Sequence, residues 1–487
     1  MNRKHTHSPI SNSTAGAGAV PLYAGYNYPR LNSFTALVFS LGILINAFSY
    51  HSFAPVAVAA ILYTATYALL VLTPLDGGAE RFMFSRAFSV GYLMAGVAAV
   101  YGNQLGGIDL FSDADVFFEI ASSETAGLAL SDIQLLHENA LVIAMWRDMY
   151  DFFGALGFEK SRYIGISINV TAVALSGVIG IKMARQIFGN DEYRFRRLTL
   201  LVSACGLFWL FAGIHLRDSI VLLAVTGLSY AWLRFLVIPG LGWRLLRITL
   251  WSSLAVAYFG FLRLEFVFVP VGMVVAAVMA LLLGHVDRGQ RFVVYVLMLI
   301  GVVTTVVLAV SYAAEILVAL ERGTIGYDEQ GADTHGANSL GMALIVNQVM
   351  PIRLVLGSIY LFVFPIPFWS GFQLDSAYAL FKSANVIFFY FLLPLLLIAI
   401  TQLLRYKAMR TPAWLFLVFL IVGFTLAVAA SSLETRHFGA FLLPIFVLGT
   451  LPDLRDVRIL RVYKQYLFIV LTGVVLVHFA WIVIKFV

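Results

Sequence analysis

The stretch from Leu198 to Ile238 constrains this chain more than any other. It is almost continuously apolar and long enough for two membrane spans, yet its middle reads Ile214-His-Leu-Arg-Asp218. An arginine left unpaired in hydrocarbon is costly, so Arg217 must lie at a membrane face or in a wet cavity. The economical solution is a helical hairpin whose tip presents His215, Arg217 and Asp218 at a membrane surface.

Similar apolar runs recur along the 487 residues, of which 61% are hydrophobic and only 12% charged. A soluble domain carries about a quarter charged residues, so the expected class is an all-α polytopic membrane protein. A barrel is excluded because its strands would alternate in polarity, whereas these runs are continuous. The single cysteine, Cys205, permits neither an intramolecular disulfide nor a cysteine metal site. The net charge of +6 gathers in short loops. That pattern sets membrane orientation and does not suggest nucleic acid.

Residues 1–31 lack an apolar core, which argues against a cleavable signal peptide, and are expected to form a flexible cytoplasmic tail. Residues 32–487 are expected to form one polytopic membrane domain. Spans are expected at about 32–50, 53–73, 84–102, 162–183, 198–214 and 218–237. Two more fill 248–284, and others are expected near 292–314, 386–404, 413–430, 437–451 and 465–484. The total is about 13. Lys182, Arg185, Arg194, Arg196 and Arg197 form the strongest basic cluster and fix the frame, with that cluster inside. Outer loops then fall at 104–161 and 315–385. Leu354 to Phe368 is short for a span, and crossing there would put Arg405 to Arg410 outside. A re-entrant or interfacial segment ending at Phe364-Pro-Ile-Pro-Phe-Trp369 is expected instead.

The outer face collects the candidate chemistry. Asp113 and Asp115 follow a span, where a partly desolvated carboxylate can serve as a general base or a metal ligand. The bland alternative is a solvated loop with a capping aspartate. Arg217, Arg263 and Arg436 each sit in a short outer turn, where the charge rule expects few basic residues. Planar guanidinium groups suit bidentate phosphate binding, and three around one cavity could hold a diphosphate. Asp218, Glu265 and Glu434 each lie near one of these arginines, so three local ion pairs are the alternative. Arg353 closes the second outer loop. His215 and His437 could be bases, anion donors or structural residues. No metal-ligand spacing, Walker loop or nucleophile elbow is present, so neither a bound metal nor a cofactor is expected. The glycine-rich Gly323 to Gly341 reads as a substrate loop or as plain disorder.

Four features together resemble bacterial inner-membrane glycan polymerases of the O-antigen type, within the GT-C-like membrane glycosyltransferases. They are Ser112-Asp-Ala-Asp115, the tip Leu216-Arg-Asp-Ser219, the Phe364 to Trp369 segment, and Thr435-Arg-His-Phe with Leu442-Leu-Pro444. The resemblance implies a multi-pass protein of the inner membrane. It would polymerise polyprenyl-diphosphate-linked oligosaccharide repeat units at the periplasmic face. On that likeness Arg217, Arg263 and Arg436 are diphosphate ligands, with Arg353 a more distant candidate, and Asp113 or Asp115 is the base. The chain departs at His215, where relatives have small polar residues. The partners expected are the lipid-linked oligosaccharide, membrane lipid, a flippase and a chain-length regulator. Two rivals remain at this stage: a transferase using a polyprenyl-monophosphate sugar, and a lipid or oligosaccharide transporter. A transporter without an internal repeat, and with its charges gathered at one face, fits the pattern less well.

Overall fold

A computed structural model describes residues 29–73, 78–103, 112–124, 127–136, 139–237, 242–262, 264–284, 295–296, 299, 303, 345, 348–372 and 376–486. Residues 1–28, most of the span expected at 292–314, the loop Gly323 to Gly341 and Arg263 lie outside the described residues.

Every element among the described residues is helical. The opening helices are α1 (Pro29–Ser49), α2 (Ala54–Leu72) and α3 (Gly78–Asn103), followed by α4 (Ser112–Glu119), α5 (Leu130–Leu136) and α6 (Ala140–Ala155). Next come α7 (Arg162–Phe188), α8 (Glu192–Ala204), α9 (Gly206–Gly213), α10 (Asp218–Val237), α11 (Gly242–Leu262) and α12 (Phe268–Leu283). The last are α13 (Met350–Val363), α14 (Ala377–Arg405), α15 (Pro412–Ala430), α16 (Thr435–Gly439), α17 (Leu442–Gly449) and α18 (Val457–Phe486). Apolar helices of this length satisfy their own backbone and bury little charge, which makes this a multi-pass membrane protein.

Among the described residues nine helices are long and apolar enough to cross a membrane, or ten if the bent pair α8–α9 is one span. About 13 were expected. The difference has local causes. The span near 292–314 falls largely outside the described residues, α12 has only 16 residues, and the stretch expected at 437–451 is divided between α16 and α17.

Polar contacts between helices define two ends of the bundle. At one end the fully buried Glu80 of α3 pairs with Arg185 of α7 at 2.7 Å. Arg197 of α8 donates to the carbonyls of Gly449 and Pro452, and Arg194 donates to Leu451 O at 3.1 Å. These bonds satisfy carbonyls that the C-terminus of α17 leaves without an intrahelical donor. This is the basic end. The other, the hairpin end, holds the turn between α9 and α10.

Small and amide side chains set the close approaches between helices. Asn46 of α1 donates to Gly42 O in its own turn and to Tyr92 O of α3, both at 2.9 Å. The span expected at 198–214 is broken at Cys205, where α8 and α9 meet at 58°. The break is held from outside by Asn385 of α14, whose Oδ1 accepts from Leu207 N at 3.3 Å, and across itself by Trp209 Nε1, which donates to Ser203 O at 2.8 Å. A Cβ on Gly206 would lie 2.3 Å from Phe381 O, so only glycine lets α14 come this close.

Two further boundaries differ from expectation. Helix α14 begins at Ala377, capped by Ser376, and not near 386, so Lys382 lies inside a span-length helix. The loop expected at 104–161 is folded in part: α4 and α6 pack together through Phe117 and Trp146, with ring centroids 5.7 Å apart, and form a helical cap over the hairpin end.

Candidate functional site

The hairpin tip is built by Asn169, a fully buried residue in the middle of α7. Its Nδ2 donates to Ile214 O and Leu216 O, both at 2.9 Å, and its Oδ1 accepts from Ser219 Oγ at 2.7 Å. One amide therefore bonds both sides of the turn, in which Ile214 O also accepts from Leu216 N at 2.8 Å. In an apolar interior each such group left unpaired costs about 1–3 kcal/mol.

His215 points from this turn into the cap and is 1% exposed. Its ring lies 4.0 Å from that of Trp146, centroid to centroid. Tyr150 Oη is 2.8 Å from Nε2, and Ala114 O is 3.4 Å from Nδ1. Burial pushes the imidazole down to about 3, so it is neutral, while burial raises the Tyr150 hydroxyl and keeps it protonated. The consistent arrangement has Tyr150 donating to Nε2 and Nδ1–H directed at the carbonyl. A Cβ at Gly165 would lie 2.2 Å from Nε2, so α7 offers glycine where the ring meets it. Both ring nitrogens are engaged, and the histidine ties the tip to the cap.

Arg217 follows, half-buried, with its guanidinium 5.5 Å from the centre of the Phe117 ring. Asp113 and Asp115 belong to the same short helix, α4, as Phe117. Asp115 pairs with Arg162 at 2.5 Å, and Arg162 also lies 5.7 Å from the Phe118 ring centre. The acidic helix and the hairpin tip, about 100 residues apart in sequence, are thus one surface.

Beside it lies a second cluster, around the turn before α16. Glu434 Oε1 accepts from Tyr378 Oη at 2.7 Å and from Lys382 Nζ at 3.1 Å. Burial alone would raise the Glu434 carboxyl, but the charges of Lys382 and Arg436 and these hydrogen bonds hold it at about 2. A carboxylate that acidic is ionised at any physiological pH and makes a poor general base. Ser432 Oγ lies 2.8 Å from His437 Nδ1, and the buried Arg353 donates to Ser431 O at 3.3 Å. Asp218 is 5% exposed, and both it and Arg436 lie within electrostatic reach of the Tyr378 hydroxyl. The hairpin tip and the 431–437 turn are therefore neighbours.

Two buried hydroxyls in this cluster, Tyr360 Oη and Thr435 Oγ1, have no hydrogen-bond partner among the described residues. Tyr360 stacks on Phe364 with ring centroids 4.4 Å apart.

Of the residues singled out by sequence, Asp113, Asp115, His215, Arg217, Arg353 and Arg436 belong to elements gathered at the hairpin end. Arg263 lies outside the described residues. Sequence reasoning missed Asn169, Tyr150, Tyr378 and Lys382. A usable signal existed for the last, a lone lysine near the start of the long apolar run before Arg405. No protein-family model, curated protein or solved structure matches this chain.

Proposed function

We propose that this protein is an inner-membrane glycosyltransferase that joins polyprenyl-diphosphate-linked oligosaccharide repeat units at the hairpin end. The observation that carries the reading is the meeting of three distant segments: the acidic helix α4, the Arg217 tip and the turn bearing Arg436. Guanidinium groups gathered beside aromatic and apolar walls suit a diphosphate, because charge-assisted bonds strengthen where water is scarce. Arg217, Arg436 and Arg353 would hold it, with Arg263 retained as a candidate from sequence.

In the reaction an acceptor hydroxyl attacks the anomeric carbon, the bond from that carbon to the diphosphate oxygen breaks, and the lipid diphosphate leaves with the electron pair. The arginines stabilise the charge that develops on the departing oxygen. The acceptor proton passes to a carboxylate of α4. Asp113 and Asp115 are the candidates, and Arg162 pairs with Asp115. His215 serves as a strut in this scheme, since a neutral ring with both nitrogens engaged has no site for the proton.

Orientation follows from charge. Arg185, Arg194, Arg197 and Arg455 gather at the basic end, so the hairpin end faces away from the cytoplasm. Two contacts support α13 and the turn after it as the re-entrant segment. Arg353 near its start reaches Ser431, and Gly371 beyond its end bonds Ser383 Oγ at 3.1 Å, so both ends lie against outer parts of neighbouring helices. With Cys205 replaced, a cysteine at Ser376 is expected to react with an impermeant thiol reagent from the periplasm and one at Ala408 is not. The reverse labelling would overturn this topology.

The functional test uses one conservative substitution. Arg217→Lys keeps the charge but loses the bidentate fork. Cells making this variant at matched levels are expected to accumulate lipid-linked single repeat units, seen on a gel of membrane glycan. Asp218→Asn should be milder, since it leaves the guanidinium in place. Normal polymer from Arg217→Lys together with failure of Asp218→Asn would make the tip a structural ion pair.

A further inference from the structure

The reaction scheme gives Lys382 no part, although it lies at the hairpin end. It sits five residues into the span-length helix α14 and is 6% exposed. A lysine placed there must be compensated, and α14 would pack as well with an apolar residue. Its ammonium lies 3.1 Å from Glu434 Oε1, 4.9 Å from the centre of the Tyr378 ring and 5.2 Å from that of Phe364. Glu434 and the rings hold the charge in one place. Around the same carboxylate stand the two unpartnered hydroxyls: Thr435 is its chain neighbour, and Tyr360 lies within its electrostatic reach.

A buried hydroxyl that forgoes a partner is rare enough to need a reason. Two of them stand in the cluster that holds the ammonium, Tyr360 linked to Lys382 through the Phe364 ring and Thr435 through its chain neighbour Glu434. The ligand that suits such a cluster is rich in acceptor oxygens and negative, which describes a phosphoryl group. Glu434 and Arg436 are half-buried, while Lys382, Tyr360 and Thr435 lie deeper beneath them.

We propose that Lys382, with the hydroxyls of Tyr360 and Thr435, binds phosphoryl oxygens of a prenyl diphosphate, and that Glu434 is a positioning residue that fixes Lys382. This rests on the diphosphate reading given above and adds to it a lysine and two neutral donors that no motif marked. It also gives the Phe364-Pro-Ile-Pro-Phe-Trp369 segment a task, because that turn carries Phe364 against both Tyr360 and Lys382.

The test is direct binding to the purified full chain, with farnesyl diphosphate, inorganic pyrophosphate and farnesol as probes. Tyr360→Phe is the informative variant, because it removes a group that has no partner in the protein. It is expected to melt at or above the wild-type temperature while binding farnesyl diphosphate roughly tenfold more weakly. Thr435→Val should behave similarly. Lys382→Gln should lose more, and Lys382→Arg should recover part of the loss. Farnesyl diphosphate binding more tightly than pyrophosphate identifies the lipid-linked form, and equal affinity identifies a free diphosphate; either supports the assignment. Wild-type binding that Tyr360→Phe and Thr435→Val leave unchanged overturns it while the arginine site stands. If the wild type binds neither diphosphate, the underlying functional reading falls as well.

Discussion

Asn169→Leu is expected to destabilise the protein by about 2–5 kcal/mol. The reason is arithmetic on partners. The amide serves Ile214 O, Leu216 O and Ser219 Oγ, and leucine serves none of them. The lower part of the range applies if the turn can shift toward another donor. Burial argues against that, because Ile214, Leu216 and Ser219 are all enclosed. A melting curve in detergent reads the effect, and polymer formation in cells should fail with it, since Arg217 follows directly on this turn. A variant that melts as the wild type does would show that the tip is held by the cap and not by α7.

The second large effect concerns the proton. Asp113→Asn is expected to insert and fold normally and to lose roughly 10²–10⁴-fold in turnover, the usual consequence of removing a general base. Asp115→Asn is expected to cost less in turnover and more in stability, because it unpairs Arg162 at the start of α7. Turnover is measured as repeat units joined per unit time in membranes with matched protein levels. Full-length polymer from both variants would make the acids of α4 structural and move the base elsewhere.

These two residues also show what could be read from sequence. Asp113 stands out because it is charged and follows an apolar run, and the hairpin tip stands out for the same reason. A charge in an apolar stretch is visible without any structure, because hydrocarbon rejects it. Several helix boundaries were legible on that principle, those of α1, α2, α7, α10 and α15 among them. Asn169 was not. It is one amide within a helix whose residues are otherwise mostly apolar or small, and only the opposing carbonyls reveal its task. The break at Cys205 was hidden for a related reason: its cause, Asn385, lies in another helix 178 residues from the amide it accepts. Helix α14 starts early because Glu434 and Tyr378 accommodate Lys382, a compensation that a hydropathy count cannot see. The cap is only half legible: the alternation of Val116, Phe117 and Phe118 with acidic residues suits a short interfacial helix, but Trp146, which packs on Phe117, lies in a stretch expected to be loop.

The candidate site follows the same division. Six of its charged or titratable candidates lie on elements gathered at the hairpin end, while Arg263 lies outside the described residues. His215 is a candidate base by type and a strut by contact. Asp115 is a candidate base by type and an ion-pair partner of Arg162 by contact.

The central claim is that this chain forms glycosidic bonds, not that it carries lipid-linked glycans across a membrane. Reconstituting the purified protein in vesicles with a polyprenyl-diphosphate-linked oligosaccharide, and separating the products by size, tests that claim most directly. The account predicts a ladder of glycans longer by whole repeat units, with release of the lipid diphosphate, and loss of the ladder in Arg217→Lys. Substrate that stays a single unit while moving from one leaflet to the other would contradict it.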